Sequence, residues 1–250
     1  MDPMEFPILI LVSAFVALFL AAEAGNFLRV KIRPFNEEQR EDFGIILGAT
    51  LTLLGLLIGF SFSMAINRYD QRKLYEEAEA NAIGTEYLRL GLLSGDTSKV
   101  RELLRAYLDQ RILFYTTRRE NKLEKINADT AALQNELWSA VQSRKEEPTA
   151  VTVLTVTGMN DVLNSQGYTQ AAWWNRIPVA AWALMLAIAI CCNALIGYGA
   201  HRTGWRLFMV LPVAVAIAFF LISDLDSPRG GAIHVVPQNL IALAHSLRPS

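Results

Sequence analysis

Four apolar stretches, each long enough to cross a lipid bilayer, sit in two pairs around a polar segment of about 110 residues. They run approximately over Phe6–Ala24, Phe43–Ile66, Ile177–Tyr198 and Arg206–Ile222. A hydrocarbon core takes about 20 predominantly apolar residues per helix, so the layout predicts an integral membrane protein. The expected fold is all-α, with four transmembrane helices in two pairs and a helical extramembrane domain between spans two and three. The corresponding division is 1–66 for the first pair, 67–176 for the domain, 177–223 for the second pair and 224–250 for a C-terminal tail.

Charge distribution narrows the function classes. Within the spans only Glu23 and Arg206 are charged, each at an end, and the segment Asn67–Arg176 balances fifteen Lys/Arg against fifteen Asp/Glu. A balanced domain has no basic footprint for nucleic acid. Cys191 and Cys192 are adjacent inside the third span, where they act as small apolar residues, and no zinc spacing or metal site is expected. Ala22-Glu23-Ala24 has the look of a signal-peptide cleavage site. However, Asp2 and Glu5 stand where a basic region belongs, so the first span reads as a retained helix.

Orientation draws two opposed signals. The short loops carry Arg29, Lys31, Arg33, Arg40, Arg202 and Arg206, and by the positive-inside rule they belong in the cytoplasm, with the domain outside. Arg68, Arg72, Lys73 and Arg176 flank the spans on the domain side and pull the other way.

The second span has the clearest internal pattern. Gly44, Gly48, Thr52, Gly55, Gly59 and Ser63 follow at steps of 4, 4, 3, 4 and 4. At about 100° per residue they occupy roughly a third of the helix circumference. Such a stripe lets another helix backbone approach closely in lipid; lining a pore is the alternative use. Near the domain end of the span, Phe60, Phe62 and Met64 could form an apolar constriction that gates by excluding water.

The central segment reads as helices throughout. Leu74, Ala78, Asn81, Thr85, Leu88 and Leu92 repeat at helical spacing and predict an inward stripe. Ser94-Gly95-Asp96 breaks the helix, and Asp96 or Thr97 is placed to cap the next. Glu76, Glu77, Glu79 and Glu86 read as a solvated acidic face. Tyr168, Trp173, Trp174 and Arg176 suit the lipid headgroup layer. Helix parity brings Asp224 and Asp226 to the face that carries Arg68 and Arg72, and a carboxylate at that boundary is costly unless paired, so an inter-helix pairing is expected. Leu240, Leu243 and Leu247 predict a short amphipathic C-terminal helix.

Catalytic motifs are absent: no nucleophile elbow, no HExxH, no phosphate loop and no dinucleotide fingerprint. His201, His234 and His245 have no ligating spacing. No ionisable group lies near mid-span, which speaks against ion-coupled transport and leaves passive conduction open. An enzyme is not expected, nor a cofactor.

Certain stretches carry a resemblance. These are Arg68-Tyr69-Asp70-Gln71-Arg72-Lys73, Glu76-Glu77-Ala78-Glu79-Ala80-Asn81-Ala82-Ile83-Gly84-Thr85 and Tyr87-Leu88-Arg89. Leu104-Arg105-Ala106-Tyr107 and Asp224-Leu225-Asp226-Ser227-Pro228-Arg229-Gly230 complete the set. In order and over nearly the whole chain, they resemble the bestrophin-like family of bacterial integral membrane proteins. The resemblance implies a homo-oligomer, as in pentameric bestrophins. It also implies an anion pore lined by the second transmembrane helix and a cytosolic helical domain. It therefore leans the domain to the cytosolic side of a bacterial cytoplasmic membrane. Two features depart from bestrophins: Leu56, Phe60 and Met64 include a single aromatic, and no acidic calcium clasp is present.

The expected function is an oligomeric ion channel for anions, with the lipid bilayer, small ions and further copies of the chain as partners. Gly44, Gly48, Thr52, Gly55 and Gly59 would serve helix packing, and Leu56, Phe60, Ser63 and Met64 the pore or gate. Arg68, Arg72 and Lys73 would make a basic ring at its domain end. The rival expectation is a membrane-anchored sensor or scaffold whose helical domain binds a protein.

Overall fold

The computed structural model describes residues 7–31, 37–142, 149–199 and 208–248. Its helices are α1 (Pro7–Lys31), α2 (Glu37–Arg89), α3 (Ser98–Thr116), α4 (Glu120–Gln142), α5 (Ala150–Trp174), α6 (Val179–Gly199), α7 (Val210–Asp226) and α8 (Gln238–Ser246). A 3-10 turn follows α2 at Leu90–Leu92, and there is no strand among the described residues. Arg33, His201, Arg202 and Arg206 lie outside the described residues.

Pro7–Lys31 is long and apolar enough to cross a membrane, and so are stretches within Gln39–Leu92 and Ala150–Gly199. α7 has 17 residues, a rise of about 26 Å against a hydrocarbon core of about 30 Å. It also ends four residues later than the hydropathy places the fourth span, so Asp224 and Asp226 belong to the helix and not to a tail.

The chain divides into two compact units. The first joins Met1–Arg68 to Arg176–His234, and the second joins Tyr69–Asn175 to Val235–Ser250. The stretch after residue 223 is thereby shared between them.

In the first unit α1 packs along α6 and α7. The approach is backbone on backbone: a Cβ at Gly25 would run into the carbonyl of Ala194, and one at Gly197 into the carbonyl of Ala22. Small residues allow this contact, and in lipid such packing is what holds helices together. Leu18 and Ala22 of α1, Met185 and Ala189 of α6, and Ala216 and Phe219 of α7 are buried around it. Trp182 meets Phe219 edge-on at 5.9 Å.

The second unit is a helical bundle in which α3 packs on α4 and α8, and α4 on α5. Its core includes Ile83, Leu90, Leu104, Tyr107, Phe114, Leu137, Met159, Val162 and Leu240. The turn before α3 uses Gly95 at φ +84°, a conformation that suits a residue without Cβ. Asp96 Oδ1 accepts the Ser98 N–H at 2.8 Å, while Thr97 holds the cap position with no side-chain bond.

Two expectations fail here. Trp173 is not at a headgroup layer: it is buried against Phe114 at 4.9 Å and Tyr115 at 5.4 Å, while Trp174 is exposed. The helical stripe on the second half of α2 is also inverted. Leu74, Leu88 and Leu92 are 63%, 73% and 62% exposed, whereas Arg72, Glu76, Glu79 and Glu86 are buried beside Ala80, Ile83 and Leu90. The charged side faces inward because other helices bring donors to it, as described below.

Candidate functional site

The membrane-length part of α2 has a covered side and an open side. Leu54, Ser61 and Ala65 are buried, and they cluster within about 40° of one another at 100° per residue. Gly44, Gly48, Thr52, Gly55, Gly59 and Ser63 lie on the opposite side and are exposed. A Cβ added at any of those four glycines would meet nothing within 4 Å. Beside them Leu56, Phe60 and Met64 are exposed as well, Phe60 by 62%. Among the described residues, therefore, no helix lies against the small-residue stripe. An uncharged, membrane-length helix is left with its smallest and its bulkiest apolar residues both open.

At the end of that stretch the charged side chains are spoken for. Arg68 Nη1 donates to Asp226 Oδ1 at 3.1 Å. Both Asp226 oxygens also accept the backbone N–H of Ile177, at 3.2 and 3.0 Å. One carboxylate thus joins Arg68, well inside α2, and the end of α7 to Ile177, two residues before α6. Asp224 takes no arginine. Its two oxygens accept the N–H groups of Ala232 at 2.7 Å and Ile233 at 2.8 Å, which folds the chain after α7 back over the helix end. Charge-assisted bonds of this kind are about twice as strong as neutral ones. Of the three cations in the expected ring, Arg68 is engaged by Asp226, Arg72 is buried and Lys73 is exposed.

The second unit holds carboxylates that the sequence reading placed in solvent. Glu79, fully buried, pairs with Arg111 through Nε and, at 3.4 Å, Nη2. It also accepts the hydroxyls of Tyr115 at 3.3 Å and Thr169 at 3.2 Å. Burial, with the Glu79 charge beside it, pushes the Tyr115 hydroxyl well above the usual phenol range. Glu76 accepts Asn239 Nδ2 at 2.7 Å and the Leu240 N–H at 2.9 Å. It thereby caps α8 with the charge that a helix N-terminus favours.

Glu86 differs from both. It is fully buried, neither oxygen has a hydrogen-bond partner, and Arg89 stands 4.0 Å away. Gly158 leaves the room for it, since a Cβ there would run into the carboxylate. Burial, opposed by Arg89 and assisted by Asp161, raises Glu86 to about 8.

Sequence reasoning missed this network, although one signal was available. Arg111 shares an apolar face with Leu104, Leu108 and Tyr115 at steps of 4, 3 and 4, and an arginine in that position requires a buried acid.

A family model for a Bestrophin-like domain matches residues 13–240. No curated protein matches the chain. Solved structures do. A bacterial bestrophin homologue from Klebsiella pneumoniae, in one point-mutant form, superposes with a TM-score of 0.65 at 13% identity, over 96% of this chain and 97% of that one. A second mutant form of it gives 0.64 at 12% identity, over 96% and 97%. A membrane protein in a mutant form also gives 0.64 at 12% identity, over 95% and 98%. At such identity the likeness speaks for the fold.

Proposed function

The chain belongs to the Bestrophin-like family, and from that membership we propose that it is a homo-oligomeric membrane ion channel, not an enzyme, conducting anions along α2. The observation that carries the reading is the open side of α2, apolar and without charge from Phe43 to Ile66.

In this reading the chain sits in a cytoplasmic membrane with its helical domain in the cytosol, and α7 with the residues before it completes a fourth span. Neighbouring copies approach along Gly44, Gly48, Thr52, Gly55 and Gly59. Leu56, Phe60 and Met64, with Ser63 beside them, narrow a shared axis to an apolar gate. Lys73, the exposed cation of the basic group, raises the local anion concentration at the domain end. Arg68 instead pairs with Asp226 at the end of α7, and Arg72 is buried.

Single-channel recording in a planar bilayer with asymmetric chloride tests this reading. Discrete currents that reverse near the chloride potential are expected. Silence from folded, inserted protein contradicts it.

The exposed Leu74, Leu88 and Leu92 favour a second reading, a membrane-anchored scaffold that binds another protein on that ridge. Subunit number separates the two. A ring of four or more copies leaves a central axis for a pore, whereas a monomer or dimer does not.

A further inference from the structure

A second feature of the extramembrane unit is independent of how α2 works. Two arginines of α3, Arg101 and Arg105, lie one helical turn apart and both stack on a single ring, that of Tyr87. Their guanidinium carbons stand 5.1 and 5.9 Å from its centroid. Like charges at this spacing repel, so an uncompensated pair is unfavourable unless something negative joins it. No carboxylate does: neither arginine forms an ion pair among the described residues. Both are half-buried, and the Nε of each is shielded from water without an acceptor.

The surroundings leave space for the arrangement. Gly91 sits against Arg101, and a Cβ there would come within 2.5 Å of Nη2. Gly91 is not needed for its backbone angles, since Gly95 is the positive-φ glycine among the described residues. The absent side chain leaves room for the guanidinium. The ring of Tyr87 supplies favourable contact for the two cations, but it offers no acceptor to their N–H groups.

We propose that Arg101 and Arg105, held on Tyr87, form a binding site for a phosphate-type oxyanion, either free phosphate or the phosphoryl group of a small metabolite. Two forked guanidiniums carry several donors, which matches a tetrahedral oxyanion with several acceptors. A spherical halide uses that geometry poorly. The anion supplies the charge that the pair lacks.

Equilibrium dialysis of the full-length protein in detergent against radiolabelled inorganic phosphate tests the site, with glycerol 3-phosphate as competitor. Saturable uptake of one phosphate per chain is expected, at least tenfold weaker in the R101Q/R105Q double variant. Gly91→Ala keeps every charge and displaces the flexible end of Arg101, and it should weaken uptake several-fold with helix content unchanged by circular dichroism. This variant decides the matter if the double variant fails to fold. Competition stronger than that of phosphate itself identifies a phosphomonoester as the ligand, and weaker competition identifies free phosphate. Either outcome supports the site. Absence of saturable uptake, or uptake by Gly91→Ala equal to that of the parent protein, overturns it.

Discussion

Three helices of the first unit carry glycines where a close neighbour would need them, and the described residues supply that neighbour to two, α1 and α6. At the α1–α6 crossing, Gly25 and Gly197 are pressed against the carbonyls of Ala194 and Ala22. On α2, Gly44, Gly48, Gly55 and Gly59 face open space. Lipid tails are as apolar as leucine, so small residues in a membrane helix earn their place through close packing. The contrast shows that small-residue spacing marks where a backbone can come close without saying whose backbone it is. The α1–α6 contact is internal; on the function proposed above, the α2 stripe is where another copy would pack.

The second unit shows the same contrast in charged form. Glu79 is hydrogen-bonded from α3 and α5, whereas among the described residues neither Glu86 oxygen has a hydrogen-bond partner and only Arg89 pairs with it, at 4.0 Å.

Filling the internal crossing is expected to have the largest effect. Gly197→Leu drives a side chain into the α1 backbone. Overpacking a core that can shift costs about 1–3 kcal/mol, and here the obstacle is main chain, so a loss of about 3 kcal/mol or more is expected. Loss of the monodisperse folded peak in size-exclusion chromatography reads it out. Glu79→Ala should follow closely, at about 3–5 kcal/mol, because it strands a buried guanidinium. Chemical denaturation of the purified protein measures that change, and a cost under about 1 kcal/mol would show that water reaches the pair.

A smaller, pH-dependent effect belongs to Glu86. Its folded value is raised to about 8 from 4.5, so between those limits the folded state keeps a proton that the unfolded state releases. Stability present at low pH is therefore lost as pH rises through that window. The slope is at most about 1.4 kcal/mol per pH unit, less where solvent screens the group. Denaturation midpoints from pH 5 to 9 should fall for the parent protein and show a flatter trend for Glu86→Gln. Identical slopes would remove Glu86 as their source.

On the fold of the single chain, Gly55→Leu should have the smallest effect of all, because nothing among the described residues occupies that space. It should instead dissociate the assembly, seen by light scattering as a drop to the mass of one chain.

Hydropathy alone made the first three spans and the special character of the second legible, since length and apolarity are local properties. Parity was enough to bring the end of α7 to Arg68, though not to tell Asp226 from Asp224. What distinguishes those two is the backbone turn at Ala232 and Ile233, which no periodicity records.

The buried acids were illegible for a related reason. The partners of Glu79 lie 32 to 90 residues away and those of Glu76 163 and 164 residues away. In sequence, four glutamates near lysines and arginines look solvated. The leucine ridge misled in the same way. Leu74, Leu88 and Leu92 have inward spacing, but the inward side was already taken by charges with distant partners.

The most direct test of the central claim, that copies arrange the open side of α2 around an ion path, is cysteine modification during single-channel recording. Ser63→Cys would be placed in a C191A/C192A background and exposed to a positively charged methanethiosulfonate reagent. The account predicts a chloride current that falls in discrete steps as successive subunits are modified. Full labelling of Cys at position 63 with an unchanged current, or no current from inserted protein before reagent is added, would contradict it.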